Sequence, residues 1–177
     1  MFDSLIALKN GTKKQRQAFH AIQELNLLND FTQYNPVVCG TIPLQIDIDS
    51  SDLDVILNVH DFDYFERKAL NLYRDLSEFR IKRTMIKNQP VIKINFHYHE
   101  FEFELFGQNQ PTHNQHAYLH MIIQAAILNE RPKLKDEVII LKQQGYKTEP
   151  AFCSVLNIEG DSYIGLLRYG REQGYIK

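Results

Sequence analysis

Asp52 and Asp54, two aspartates separated by one residue, are the side chains in this sequence best suited to bind a metal ion. They alternate with Leu53 and Val55 at the start of an apolar run. Because alternate residues of a strand project from the same face, the two carboxylates would stand side by side. A carboxylate pair together with substrate phosphates is a usual ligand set for Mg²⁺. The pattern predicts a site for Mg²⁺ or Mn²⁺, although a solvated turn that leads into a strand would use the same residues.

A glycine and two hydroxyl residues upstream of the aspartates are suited to hold phosphate groups. Gly40 and Thr41 follow the short apolar run of residues 37–39, and Ser51 immediately precedes Asp52. Glycine lets the backbone come close to phosphate oxygens, and a hydroxyl with exposed N–H groups beside it can donate to them. We therefore interpret Gly40, Thr41 and Ser51 as phosphate-binding residues.

A third carboxylate is available from a later strand. In residues 100–106 glutamates alternate strictly with apolar residues, so that Glu100, Glu102 and Glu104 share one face of a predicted strand. We favour Glu104 as the third acidic residue, because it lies deepest in the apolar stretch and just before a break expected at Gly107. Glu102 is the alternative, and Glu100 is expected to face solvent.

The order Gly40-Thr41, ten residues, then Asp52-Leu53-Asp54-Val55 resembles the signature of the nucleotidyltransferase superfamily, whose fold is shared with DNA polymerase beta. The resemblance covers residues 37–106 and would place this chain in a small, single-domain branch of that superfamily. Thr41 stands where the superfamily has a glycine or serine. Residues 42–49 are not expected to form the short helix usual after this pair, because Pro43 and β-branched residues disfavour it.

This resemblance implies an activity and the roles of its residues. The chain would move a nucleoside monophosphate from a nucleoside triphosphate, with ATP favoured, to an unidentified acceptor hydroxyl or phosphate. Asp52, Asp54 and Glu104 would bind Mg²⁺ or Mn²⁺, and Glu104 or Glu102 could instead take the proton of the attacking hydroxyl. A catalytically inactive module of the same fold, which binds a nucleotide or a partner protein, is the alternative.

A histidine-dependent metal hydrolase is the third function considered. His113, His116 and His120 recur at helical spacing, and His97 and His99 share one side of a strand end. No HExxH motif accompanies them in the sequence. Because a hydrogen-bonded core histidine explains His120 better than a metal ligand does, this function ranks last.

Other polar residues were considered as contacts for the substrates. Lys82 and Lys93 are candidates for binding phosphate, although lysines on an edge strand also protect a sheet from aggregation. Gln115, Tyr118 and His120 lie on one apolar segment and are candidates for contacts to the base or the acceptor.

Composition limits the classes of protein that the chain can belong to. Its 177 residues are 44% hydrophobic, which fits one compact unit with a sizeable core. The net charge of −2 disfavours bulk binding of nucleic acid by charge, and leaves a homodimer or a partner protein open. A signal sequence and a membrane-spanning run are not expected, so we predict a cytoplasmic protein with no membrane contact, in which Cys39 and Cys153 are reduced core thiols.

The elements that must position these residues indicate an α+β fold. We predict a mixed β-sheet packed with helices, with residues 1–110 as the nucleotidyltransferase-like core and residues 111–177 as a helical segment packed on it. Helices are predicted over residues 12–28, from residue 60 or 61, over 117–128 and over 134–143, with caps at Thr148 and Asp161. Strands are predicted over residues 37–39, 53–59, 79–86, 91–96 and 101–106.

Overall fold

A computed structural model describes residues 2–177 and has an α+β fold. The strands are β1 (Val37–Cys39), β2 (Leu53–Asn58), β3 (Ser77–Ile86), β4 (Gln89–Tyr98) and β5 (Phe101–Gln108). The helices are α1 (Ser4–Asn10), α2 (Lys13–Glu24), α3 (Leu27–Asp30), α4 (Phe62–Tyr73), α5 (His116–Glu130), α6 (Leu134–Gln143), α7 (Thr148–Leu156) and α8 (Ser162–Glu172). Short 3₁₀ turns occur at Thr32–Tyr34 and Thr112–Asn114.

The five strands form one mixed sheet in the order β1-β2-β5-β4-β3. Strands β2 and β5 are parallel, and the other neighbouring strands are antiparallel. Apolar residues on one face, such as Val55 and Phe103, pack with α1, α2 and α4. On the other face, Ile56 and Phe106 pack with the helices that follow β5. The predicted α+β class with a mixed sheet is confirmed.

Strand β5 shows the alternation that the sequence predicts, but it is longer than expected. Phe101, Phe103 and Leu105 are buried, and the glutamates lie on the opposite face. The break expected at Gly107 is wrong, because Gly107 continues the strand and pairs with β2 and β4. A Cβ atom at this position would lie 2.7 Å from the Val59 side chain, so glycine makes room for a close neighbour.

The hairpin between β3 and β4 is tighter than predicted. Lys87 and Asn88 both have positive φ, 48° and 61°, as in a two-residue turn of type I′. The predicted break at residues 88–90 is therefore wrong, and Pro90 lies within β4 opposite Met85. Strands β3 and β4 therefore stay paired as far as this turn.

The predicted N-terminal helix is divided into two. Thr12 caps α2 in a capping box with Gln15, as the sequence predicts. The helix ends at Glu24, because Asn26 takes the left-handed conformation, with φ of 51°, before α3 begins. The extension to residue 28 is wrong, and α1 was not predicted.

The other helix boundaries agree closely with the sequence pattern. Asp61 caps α4, Asp161 caps α8, and α6 has the predicted limits. Helix α5 extends beyond residues 117–128 at both ends. The predicted cap at Thr148 is wrong by one residue, because Lys147 is the N-cap of α7 and Thr148 is its first helical residue.

Cys39 and Cys153 are both free and buried, as expected of core thiols. None of the helices within residues 2–177 combines the length and the apolar character needed to cross a bilayer. The cytoplasmic location stays a prediction.

Candidate functional site

A cleft of about 1050 Å³ lies between the sheet and the helices that follow it. Pockets that bind small ligands commonly measure about 300–1,000 Å³, so this cleft is large enough for a small-molecule ligand. Its walls include residues of the loop after β1, of β2, β4 and β5, and of α5, α6 and α7.

Two of the predicted carboxylates face each other across neighbouring strands in this cleft. In the parallel register of β2 and β5, Asp54 is the partner of Glu104. Asp52 lies two residues earlier, just before β2 begins, and also lines the cleft. The alternation of apolar and acidic residues brings this about, because burial of Leu53 and Phe103 on one face turns the acidic residues to the other. The structure thus brings all three together in one cleft.

Gly40 supplies the space that the Asp54 carboxylate occupies. Its φ of +81° is a conformation that favours glycine, and it ends β1 beside Asp54. A Cβ atom at this position would lie 2.1 Å from Asp54 Oδ2. The carboxylate therefore lies directly against the backbone of the predicted phosphate-binding glycine.

The surroundings of Asp52 and Asp54 disfavour the charged forms of their carboxyl groups. Burial raises the pKa of Asp54 well above its usual value, and the charges of Asp52 and Glu104 raise it further. Burial also raises the pKa of Asp52, and the charge of Glu104 adds to this effect. A divalent cation between these groups would remove the repulsion and restore their charged forms.

The ammonium group of Lys93 is a positive charge that lies beside one of these carboxylates. Its Nζ lies 3.0 Å and 3.1 Å from the two carboxylate oxygens of Glu104, and 5.3 Å from the centre of the Phe106 ring. Lys93 thus lines the cleft, but it binds Glu104 and neutralises one of the three acidic groups.

No three His, Cys, Asp or Glu side chains within residues 2–177 are gathered closely enough to enclose a metal ion as they stand. The Glu104 carboxylate is paired with Lys93. Asp52 and Asp54 still fit Mg²⁺, because two hard oxygen ligands beside a cleft that can admit phosphates are the set this ion usually takes.

The loop that follows Gly40 is irregular, as predicted from Pro43. The hydroxyl of Thr41 donates to Ser51 Oγ at 3.2 Å, and Ser51 Oγ also accepts from the backbone N–H of Ile48 at 2.9 Å. These bonds close the loop on itself, so that Thr41 and Ser51 lie together at the edge of the cleft beside Asp52.

Glu102 and Lys82 do not line the cleft. The Glu102 carboxylate binds Arg80 and accepts from Asn95, on the outer part of the same sheet face. Lys82 is exposed on β3, opposite Lys93 in the register. Of the two alternatives for the third carboxylate, Glu104 is therefore the one that the structure brings to the aspartates.

The three residues considered for contacts to the base or acceptor face different ways. Gln115 and His120 line the cleft. Tyr118 lines a separate, smaller cavity of about 320 Å³ and contacts the ring of His113. The amide nitrogen of Gln115 donates to the backbone carbonyls of Leu57 and Gln110, so this side chain fixes the start of α5.

His120 is buried and has a partner at each ring nitrogen. Its Nε2 lies 3.0 Å from the Tyr163 carbonyl oxygen, and its Nδ1 lies 3.4 Å from Glu149 Oε1. Burial raises the pKa of Glu149 most strongly, but the hydrogen bond and charge of His120, together with hydrogen bonds from the Glu149 backbone and Gln124, hold the pKa below its usual value. His120 and Glu149 therefore contact each other in the cleft wall.

The histidines are not arranged as a metal centre. His97 and His99 pair with glutamates, among them Glu78 at 3.5 Å and Glu24 at 2.7 Å. Since they are absent from the cleft lining, the five histidines considered do not share one site. The structure does not support the hydrolase hypothesis.

Lys142 and Glu149 line the cleft and were not identified from the sequence. The ammonium of Lys142 is buried and donates to the Ile46 carbonyl at 2.7 Å. Its burial lowers the pKa of Lys142 to about 8, while nearby acidic groups, including Asp52 and Asp54, oppose this shift. In the sequence both residues resemble ordinary helix-terminal charges, so no local signal distinguishes them.

The mixed sheet with paired carboxylates beside a glycine turn defines a protein of the nucleotidyltransferase fold. A mutant of the Cid1 poly(U) polymerase bound to MgATP matches with a TM-score of 0.55 and 15% identity, over 88% of this chain and 49% of that chain. The same polymerase with Mg 3′-dATP gives 0.53 and 17%, over 88% and 48%. The GLD-2/RNP-8 complex gives 0.50 and 16%, over 86% and 57%.

Residues 20–169 match a family model described as a domain of unknown function, DUF4269, and the chain belongs to this family. It spans about half the length of the solved structures that it resembles. A comparison with curated proteins finds no match.

Proposed function

We propose that this protein is a metal-dependent nucleotidyltransferase. It would move a nucleoside monophosphate from a nucleoside triphosphate, with ATP favoured, to an acceptor hydroxyl or phosphate. The observation that carries the proposal is the pairing of Asp54 with Glu104 in neighbouring strands, with Asp52 and Gly40 beside them in a cleft of nucleotide size.

Asp52 and Asp54 are proposed to hold Mg²⁺ or Mn²⁺. When bound, such an ion neutralises charge on the triphosphate and on the departing pyrophosphate. The protein's own residues then position the substrates. An acceptor oxygen attacks the α-phosphorus, the bond from that phosphorus to the bridging oxygen of pyrophosphate breaks, and Glu104 takes the acceptor proton.

Lys93 is proposed to control the surroundings of Glu104. Its ammonium contacts both carboxylate oxygens and so fixes the charge and the orientation of the groups around the Glu104 side chain. This is a different role from the phosphate contact predicted from the sequence, although Lys93 remains close enough to the cleft to serve a phosphate as well.

The phosphates are proposed to lie along the loop after β1. Gly40 leaves its backbone accessible, and the hydroxyls of Thr41 and Ser51 lie beside it. Lys142, whose ammonium donates to the Ile46 carbonyl of the same loop, supplies a positive charge. Together these groups would bind the triphosphate next to the aspartates.

A nucleotide-binding module without turnover is the second candidate function. The Lys93–Glu104 ion pair favours it, because a carboxylate committed to a lysine is less available to a metal ion or a proton. The two candidates make different predictions about transfer but the same prediction about binding.

The test is to incubate the protein with each labelled nucleoside triphosphate and Mg²⁺ or Mn²⁺, in the presence of a cell lysate that supplies acceptors. Asp54→Asn removes a proposed ligand, and Asp49→Asn is a matched control, because Asp49 is exposed on the same loop and does not line the cleft. We expect transfer by the wild type and by Asp49→Asn, and none by Asp54→Asn. Equal labelling by all three proteins would exclude the proposed active site. Metal-dependent binding without transfer would select the second candidate.

A further inference from the structure

We name residues 40–52 the cleft loop. One buried side chain of α2 makes hydrogen bonds to the backbone of this loop. We infer that this side chain, Gln15, is a positioning residue for the phosphate-binding groups of the cleft loop. The inference rests on the proposed function, since it assigns a role in the same site to a residue that does not line the cleft.

Every hydrogen-bonding position of the Gln15 amide is used. Its Nε2 donates to the carbonyl oxygens of Ile42 and Pro43, both at 3.0 Å. Its Oε1 accepts from the Thr12 backbone N–H at 2.8 Å and from Gln45 Nε2 at 3.1 Å. A glutamine amide has two donor hydrogens and two acceptor lone pairs, so this set is complete. With only 1% of its surface exposed, Gln15 has no water to replace a lost partner.

Gly11 leaves space for this amide because glycine has no side chain. A Cβ atom built on Gly11 would lie 1.8 Å from Gln15 Oε1. The capping box Gly11-Thr12-x-x-Gln15 thus has a second purpose besides starting α2. Its glutamine fixes one end of the helix and two backbone carbonyls of the cleft loop at once.

The same loop is also tied to the helices on the other side of the cleft. Gln45 Oε1 accepts from Lys135 Nζ of α6 at 2.7 Å, while Gln45 Nε2 donates to Gln15. Lys14, next to Gln15, lies 2.7 Å from the Asp47 carboxylate. The cleft loop is therefore bonded to both α2 and α6.

Thr41 is the residue through which Gln15 would act. The Thr41 carbonyl accepts from the backbone N–H groups of Leu44 and Ile46, both at 3.2 Å. These bonds make residues 41–46 one compact turn that contains Ile42 and Pro43, the two residues that Gln15 holds. Loss of the amide would release this turn and move Thr41 relative to Asp54.

The experiment compares two ways of displacing the amide with a control on the same helix. Gln15→Met removes all four hydrogen bonds, and Gly11→Ala keeps the amide but places a methyl group against it and against the Ala7 carbonyl oxygen. Ile22→Ala is the control, because Ile22 is buried in the core on α2 and its apolar side chain makes no hydrogen bond to the cleft loop. It should lower the melting temperature without disturbing the cleft loop.

Two measurements are made at a temperature where all the variants are folded. The first is the dissociation constant of ATP with Mg²⁺ by calorimetry, and the second is amide hydrogen exchange of residues 41–52 without nucleotide. We expect ATP binding to weaken on the order of tenfold or more in both displacing variants, since misplacement by about 1 Å is costly in such sites. Exchange in the cleft loop should accelerate in the same variants, and Ile22→Ala should change neither.

Wild-type ATP affinity and wild-type exchange in a folded Gln15→Met or Gly11→Ala variant would overturn the inference. If Gln15→Met does not fold, Gly11→Ala alone decides. If the wild type binds no ATP, the proposed function fails, and exchange then judges the effect of Gln15 on the loop. Faster exchange confined to residues 41–52 supports that effect, and unchanged exchange refutes it.

Discussion

The surroundings of the Asp54 carboxylate disfavour its charged form unless a cation is bound beside it. It is partly buried, it contacts the Gly40 backbone, and Asp52 and Glu104 are close enough to raise its pKa. A charged group in such surroundings lowers the free energy of unfolding unless a partner compensates it. The compensation we propose is a divalent cation, because Lys93 is already bound to Glu104.

Gly40→Ala is expected to lower the free energy of unfolding more than Gly145→Ala does. Both glycines have positive φ, +81° and +96°, so each alanine carries a strain of about 1 kcal/mol. Only at Gly40 would the new methyl group also overlap the Asp54 carboxylate, whereas nothing lies within 4 Å at Gly145. We expect a loss of about 2–3 kcal/mol at Gly40.

Urea unfolding of the two glycine variants measures this difference, and calorimetry with Mg²⁺ and ATP measures binding. Gly40→Ala should also weaken binding of the metal–nucleotide complex, and Gly145→Ala should leave it unchanged. Equal losses of stability in both variants would show that Asp54 does not press against Gly40 in solution.

At the scale of single elements, strand β5 and helix α6 show what the sequence can and cannot reveal. The alternation in β5 predicts that Glu104 faces away from the core, and periodicity gives α6 its observed limits. The burial of Lys142 near the end of α6 has no such signal, because it depends on how the helix meets the cleft loop. The break predicted at Gly107 is wrong for the same reason, because the glycine is required by the nearby side chain of Val59, which lies in another segment of the chain.

The candidate site was therefore predictable where one segment determines it. Asp52, Asp54 and Gly40 lie in two short segments whose order along the chain carries the resemblance. The choice between Glu102 and Glu104 required the register of β5 against β2, and the role of Gln15 required the packing of α2. Both depend on contacts between segments distant in the sequence.

Lys142→Met is expected to change how stability depends on pH. In the wild type the pKa of Lys142 falls to about 8, below the usual 10.5, so between these values the unfolded chain binds more protons than the folded one. Stability contributed by this group therefore rises with pH in that window, by about 1–3 kcal/mol. The methionine variant lacks this rise.

Urea unfolding at about pH 7 and about pH 9.5 measures the effect, as the difference between variant and wild type. Lys133→Met is the control, because Lys133 is exposed at the start of the same helix. It should keep the wild-type pH dependence. A Lys142→Met variant with that same dependence would mean that the ammonium is not buried.

At the scale of the whole molecule, the sheet lies between two apolar clusters, and the cleft is on the side of the C-terminal helices. One joins the N-terminal helices to a face of the sheet, and the other joins the opposite face to the C-terminal helices. The cleft loop contributes Ile42 to the first cluster and Ile46 to the second. The division into residues 1–110 and 111–177 stays a prediction, as do the homodimer or partner protein.

Mg²⁺ is expected to stabilise the whole protein in a pH-dependent way. Because the pKa values of Asp52 and Asp54 are raised on folding, the metal-free protein loses stability as pH rises through those values. A metal ion competes with the same protons, so its stabilising effect should grow with pH. At a hundredfold excess over the dissociation constant it would reach about 2.7 kcal/mol.

Thermal unfolding with and without Mg²⁺, at about pH 5 and about pH 8, provides the measurement. We expect a larger rise in melting temperature at the higher pH, and no rise at either pH for Asp54→Asn. That variant should also be more stable than the wild type in the absence of metal, because one repelling charge is gone. A rise that is the same in both proteins would mean that the ion binds elsewhere.

The parallel pairing of β2 with β5 affects the order in which the molecule can fold. Strands β3 and β4, which lie between them in the chain, form a local hairpin that can assemble early. The pairing of β5 with β2 must wait until the chain returns across the sheet, as it also must during synthesis on the ribosome. The acidic centre therefore cannot exist in a nascent or partly folded chain, and the nucleotide binding that we propose would require the finished sheet.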